Sequence, residues 1–127
     1  MKYMLLWTII ERFTFLRYGS RENPTSRNND LSSDSYFQEA LKLYVNEKRY
    51  VFDTKDPDDK RTLDNSEPKK SIQYYYQVRC NITHRGKAVV RDYETVKKSF
   101  IELFKITKYI LDKTKKECLN IKSQYEK

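Results

Sequence analysis

The apolar positions mark out three helices along the chain. In residues 3–18, Met4, Leu5, Leu6, Trp7, Ile9, Ile10, Phe13, Leu16 and Tyr18 cover more than one face, and Glu11, Arg12, Thr14 and Arg17 leave a narrow polar stripe. A helix apolar nearly all round must be enclosed by other elements or by a partner chain. A second helix is expected over residues 35–49. There Phe37, Ala40, Leu41, Tyr44 and Val45 fall at i, i+3, i+4, i+7 and i+8. Asp34 or Ser35 caps its start, with Gln38 and Glu39 in the first turn. The last helix, 93–117, carries Val96, Phe100, Leu103, Phe104, Ile110 and Leu111 as a core stripe. Asp92 is its expected N-cap, and Lys113, Lys115 and Lys116 suit its negative C-terminal end.

Two polar stretches separate these elements. Residues 19–34 read as a loop rich in Ser, Asn and Arg, and Gly19 is placed to end the first helix in a left-handed conformation. Residues 53–71 read as a second polar loop, and no internal repeat is visible. Residues 72–92 support two readings. Tyr, Val, Ile and Thr with a glycine in HRGK fit a β-hairpin. A helix instead brings Ile72, Tyr75, Tyr76, Arg79 and Ile82 near one face, with Gly86 as the stop.

Composition favours helices. The 127 residues include only two glycines and three prolines, fewer turn residues than a sheet-rich fold of this length needs. That length predicts one domain with a single modest core. Hydrophobic content of 38% beside 35% charged residues is polar, yet not sparse enough for disorder. The run YMLLWTII is broken by Glu11 and Arg12, far short of the roughly 20 apolar residues a membrane span requires. No small-residue cleavage site follows it, so a buried helix is expected rather than a signal peptide.

The formal charge of +8 points to a polyanionic partner, with solvated lysine faces as the plain alternative. The excess is uneven. Residues 53–67 hold six acids against three bases, while 79–91 hold Arg79, Arg85, Lys87 and Arg91 without an acid. Cys80 and Cys118 are far apart and form no CxxC, which fits a reducing cytoplasm. A single histidine leaves no His-rich or cysteine-based metal site, so chemistry without metal or cofactor is expected.

Arg79 and His84 stand five residues apart with Asn81 between them. On a helix that spacing turns the side chain by about 140° net and rises about 7.5 Å. The two groups can therefore converge only around a helix end. An imidazole with a pKa near about 6.5 can move the protons of RNA cleavage. An arginine can bind the phosphoryl oxygens and favour the transition state. One His and one Arg per chain is thin for two proton transfers, which favours a site shared by two chains. Without further support, a lone His among basic residues is more often a surface residue.

The segment YQVRCNITHRGKAV, followed by DYETVKKSFIELFKITKYIL, resembles the core of HEPN domains, whose signature is an Arg and a His separated by four residues. The first helix, LLWTIIERFTFLRYG, resembles their early core helix, where an acidic–basic pair follows an apolar run. The likeness is most specific over residues 72–111 and extends more weakly to 3–18. It implies an all-α fold, a compact bundle of about four helices (3–18, 35–49, 72–85 and 93–117) with two long polar loops. It also selects the helical reading of residues 72–84.

What the resemblance implies about activity is a metal-independent endoribonuclease. A homodimer would join two Arg-x4-His motifs and cut single-stranded RNA, leaving a 2′,3′-cyclic phosphate and a 5′-hydroxyl. Arg79 and His84 take the catalytic positions and Asn81 a supporting one, with Arg85, Lys87 and Arg91 as RNA-binding residues. A toxin or phage-defence effector, with an antitoxin or a larger defence complex as partner, would fit. Some members carry a polar residue directly after the arginine, where this chain has Cys80. The other reading is a non-catalytic module that binds RNA or a nucleotide, or that dimerises. A structural fragment of a larger chain is a third.

Overall fold

The computed structural model describes residues 2–19, 23–53, 55–84 and 93–125, and of Pro57, His84 and Tyr125 the backbone alone. Among the described residues it is mostly helical. The order is α1 (Lys2–Tyr18), α2 (Pro24–Ser32), α3 (Ser35–Tyr44), β1 (Arg49–Asp53), β2 (Asp56–Leu63), α4 (Pro68–His84) and α5 (Tyr93–Tyr125).

Several expected boundaries hold for the expected reasons. Gly19 lies at φ 70° and its N–H donates to the Phe15 carbonyl at 3.0 Å, which ends α1. Asp34 caps α3, its carboxylate accepting from the Tyr36 N–H at 2.9 Å. The other carboxylate oxygen accepts from Arg17 Nε at 2.9 Å and from the Tyr18 hydroxyl. One aspartate thus fastens the end of α1 to the start of α3. The proposed cap at Asp92 lies outside the described residues.

The all-α expectation is corrected by a small antiparallel sheet of β1 and β2. Arg49 pairs with Leu63, Tyr50 with Thr62, Val51 with Arg61 and Phe52 with Lys60, and the register shifts between Phe52 and Asp53. The stretch 53–71, read as a loop, therefore carries a strand and the start of α4. Its hydrophilic sequence hides the reason: Leu63 is its one buried apolar residue among those described, and the strand is fixed by its partner and by α4 rather than by alternation. The stretch 19–34 likewise contains α2, which makes five helices among the described residues rather than about four. Asn23 caps it by accepting from the Thr25 N–H at 2.9 Å, Pro24 opens it, and Leu31 buries in the core. The helix expected over 35–49 stops at Tyr44, because Arg49 already pairs in β1. The last helix continues past residue 117 through Leu119 and Ile121, which extend its apolar pattern, and reaches Tyr125.

Residues 72–84 are helical despite their strand-like composition, and α4 starts at Pro68. Packing decides the contest. Ile72, Tyr74, Tyr75, Val78 and Ile82 are all buried at helical spacing, and α4 touches every other described element. A strand would put residues 72, 74, 78 and 82 on one face and Tyr75, Gln77 and Asn81, which are buried as well, on the other. Tyr3, Leu6, Trp7 and Ile10 of α1, Phe37 and Leu41 of α3, and Leu103, Ile106 and Ile110 of α5 complete the core. Each large apolar side chain buried there contributes about 1.5–3 kcal/mol.

Arg49 ties the sheet to the bundle. Its guanidinium makes a two-pronged ion pair with Glu102 of α5, and its Nε donates to the Tyr74 hydroxyl at 3.3 Å. The Tyr75 hydroxyl donates to Glu102 at 3.0 Å, and the Tyr3 hydroxyl donates to the Tyr75 carbonyl at 2.6 Å. Burial pushes the Tyr75 phenol well above its usual range, and the Glu102 carboxylate adds to the effect. Burial alone would lower the Arg49 pKa, but Glu102 and Tyr74 outweigh it and raise it.

Candidate functional site

The helical course of α4 sets where the singled-out residues go. Arg79 lies one turn beyond Tyr76 and at the edge of the buried stripe, facing α1. Its Nη2 stands 3.4 Å from Glu11 Oε1, and Arg27 Nη2 of α2 lies 3.5 Å from the same oxygen. Two guanidinium groups from different helices therefore share one carboxylate. The Arg79 guanidinium also lies over the Tyr76 ring at 5.6 Å, and Tyr76 meets the edge of Trp7 at 5.6 Å.

This cluster is incompletely satisfied. Arg79 Nε is buried and has no hydrogen-bond partner among the described residues. A guanidinium offers five N–H donors, so one long ion pair leaves much of its capacity unmatched. The Tyr76 phenol is held above its usual range, first by burial and then by the adjacent Cys80, while Arg79 and Arg27 pull it down. The cluster is half-buried and sets the Arg79 and Arg27 guanidinium groups beside one carboxylate, that of Glu11. An oxyanion entering it would meet a donor already desolvated and held by its neighbours.

Asn81 points elsewhere. It is buried, its Nδ2 donates to the Phe52 carbonyl at 2.8 Å, and its Oδ1 accepts from Gln77 Nε2 at 2.9 Å. It thereby serves the strand carbonyl next to the register shift between β1 and β2. Arg79 and Asn81 are brought to different neighbours, one to α1 and α2, the other to β1.

His84 is the last residue of α4. Five helical residues place its Cα about 140° around the axis from Arg79 and about 7.5 Å along it. The backbone thus sets the two residues on different sides of α4, at its C-terminal end. Gly86, Arg85, Lys87 and Arg91 lie outside the described residues.

Sequence reasoning missed Glu11, Arg27 and Tyr76 as members of the cluster. Glu11 gave one signal, an acid set in an otherwise apolar helix, but it reads equally as part of a solvated stripe. Arg27 sat in what looked like a loop, and its distance from Arg79 along the chain hides the contact.

No helix among the described residues is long and apolar enough to cross a membrane. Compared with models of protein families, with curated proteins and with solved structures, the chain matches none.

Proposed function

We propose that the chain is a HEPN-type, metal-independent endoribonuclease of the cytoplasm, acting on single-stranded RNA through a site shared by two copies. The observation that carries this reading is the approach of Glu11 to Arg79, 3.4 Å apart. The two segments that resemble HEPN domains, the acidic–basic pair of α1 and the Arg-x4-His segment of α4, meet at that ion pair. Arg79, whose Nε has no partner among the described residues, is suited to a phosphoryl oxygen. His84 is the group for proton transfer at neutral pH. Because α4 sets Arg79 and His84 on different sides, a second copy supplies the complementary pair. The exposed Leu5, Ile9 and Leu16 of α1 support pairing between copies, since an apolar stripe of that kind is normally covered. Asn81 supports the site by holding β1 against α4. Arg85, Lys87 and Arg91 extend the basic surface along which the RNA runs. An activity of this kind fits a toxin or phage-defence effector held in check by an antitoxin or a larger complex.

A second reading is favoured by the internal contacts of Arg79 with Glu11 and Tyr76, which fit a non-catalytic module that binds RNA or a nucleotide. Purified protein incubated with unstructured RNA in EDTA separates the two. Cleavage products ending in a 2′,3′-cyclic phosphate, absent with His84→Ala, support the enzyme. Salt-sensitive binding with intact RNA supports the module, and equal cleavage by His84→Ala removes the proposed site.

A further inference from the structure

Away from the Arg79–Glu11 contact, two helices present polar faces to each other. Gln73, Tyr76 and Gln77 fall at i, i+3 and i+4 of α4, and Thr25 and Asn28 at i and i+3 of α2. Between them lies a cleft of about 220 Å³, with Arg61 of β2 on its wall.

The polar groups of this cleft are not used up by the fold. Asn28 is only 9% exposed, yet its side chain makes no hydrogen bond among the described residues. Gln77 is 8% exposed and donates its amide N–H to Asn81, which leaves its Oε1 to the cleft that it lines. The unmatched amide atoms of these two residues face the water of the cleft, where a ligand can take the place of that water. Among the described residues, Arg61 pairs with the surface carboxylate of Asp59, at 3.2 Å.

The chemistry selects a ligand class. A side-chain amide offers a donor and an acceptor side by side, the pattern that matches a nucleobase edge. An aromatic wall suits a flat heterocycle. A guanidinium at the same cleft suits the phosphate attached to it. We infer that the cleft between α2 and α4 holds one nucleotide, its base edge on Asn28 and Gln77, its ring beside Tyr76 and its phosphate on Arg61. The nucleotide is either a free nucleoside monophosphate or one unit of an RNA strand; only the second source rests on the RNA reading above. Tyr76 lines the cleft and also underlies Arg79, so a strand seated here would pass next to the candidate site.

Trp7 is the only tryptophan in the chain and touches Tyr76 edge-on, so its fluorescence reports on the cleft. The experiment titrates AMP, GMP, CMP, UMP and an unstructured RNA oligonucleotide into the wild type, Asn28→Leu and Arg61→Gln. Thermal melts establish that each variant is folded, and Arg61→Gln, at the surface, serves if Asn28→Leu is not. Saturable binding of at least one monophosphate is expected, weakened about tenfold by Asn28→Leu and several-fold by Arg61→Gln. Oligonucleotide binding weakened by both variants without monophosphate binding assigns the cleft to a unit of the strand. Monophosphate binding without oligonucleotide binding upholds the cleft and sinks the RNA reading. Oligonucleotide binding equal in all three proteins, with no monophosphate bound, overturns the cleft and leaves the RNA reading standing. Binding of neither ligand also overturns the cleft.

Discussion

Two arginines in this molecule sit in nearly the same setting and are treated very differently. Arg49 and Arg79 each lie over a tyrosine of α4, at 5.7 Å from the Tyr74 ring and 5.6 Å from the Tyr76 ring, and each pairs with a glutamate from another helix. Around Arg49 everything is matched. Glu102 grips it with both oxygens, the Tyr74 hydroxyl takes its Nε, and the Tyr75 hydroxyl completes the carboxylate. Around Arg79 the same parts are stretched and shared. Its carboxylate is 3.4 Å away and also serves Arg27, and its Nε has no partner among the described residues. A saturated buried ion pair is a structural clamp, because removing one partner strands the other in low dielectric. An unsaturated one keeps donors in reserve for a ligand. That difference, more than the presence of a His five residues on, makes Arg79 the candidate.

The comparison can be broken first on stability. Arg49→Gln leaves the largely covered Glu102 short of its partner, and should cost about 2–3 kcal/mol in urea unfolding, between the values for exposed and fully buried pairs. Arg79→Gln should cost about 1 kcal/mol or less, since its pair is partly exposed and long. Similar losses at both positions would put Arg79 among the clamps. A second test uses pH. Burial holds the phenols of Tyr3 and Tyr75, both members of the Arg49 region, above their usual range. The unfolded chain releases these protons near about pH 10 while the folded chain keeps them. Stability from this source is therefore complete below about pH 10 and falls as pH rises further, by about 1.4 kcal/mol per pH unit for each tyrosine. Melting temperatures taken from about pH 9 to about pH 11 should fall more gently in Tyr75→Phe than in the wild type, compared by slope. The smallest effect is expected at Glu11. Glu11→Gln removes the carboxylate that competes with phosphate for Arg79 and Arg27, so RNA affinity should rise by about two- to fivefold, the equivalent of a modest ion pair. A fall in affinity measured by filter binding would mean that Glu11 orients Arg79 rather than competing for it.

How much of this was legible in the sequence varies by element. Helices α1, α3 and α5, the left-handed end at Gly19 and the cap at Asp34 are written in apolar spacing and in single side chains acting locally. Helix α2 and the two strands are not. The sequences of α2 and β2 are mostly polar, each with a single buried apolar residue (Leu31, Leu63), and the sheet is held by long-range contacts such as Arg49 to Glu102 and Asn81 to the Phe52 carbonyl. Residues 72–84 were balanced between strand and helix because Tyr, Val, Ile and Thr pack well in either. Burial of Ile72, Tyr74, Tyr75, Val78 and Ile82, on a helix that meets all six other described elements, resolves that balance.

The candidate site divides along the same line. The sequence by itself picked out Arg79, Asn81 and His84 as residue types, because an Arg and a His at that spacing in a basic stretch carry recognisable chemistry. It could not say that Arg79 would face Glu11 and Arg27 while Asn81 turned toward β1, or that Asn28 and Gln77 would flank a cleft. Those are contacts between residues far apart along the chain. Local spacing has no access to them, and only the packing of α4 at the centre of the fold decides which neighbours each of its faces meets.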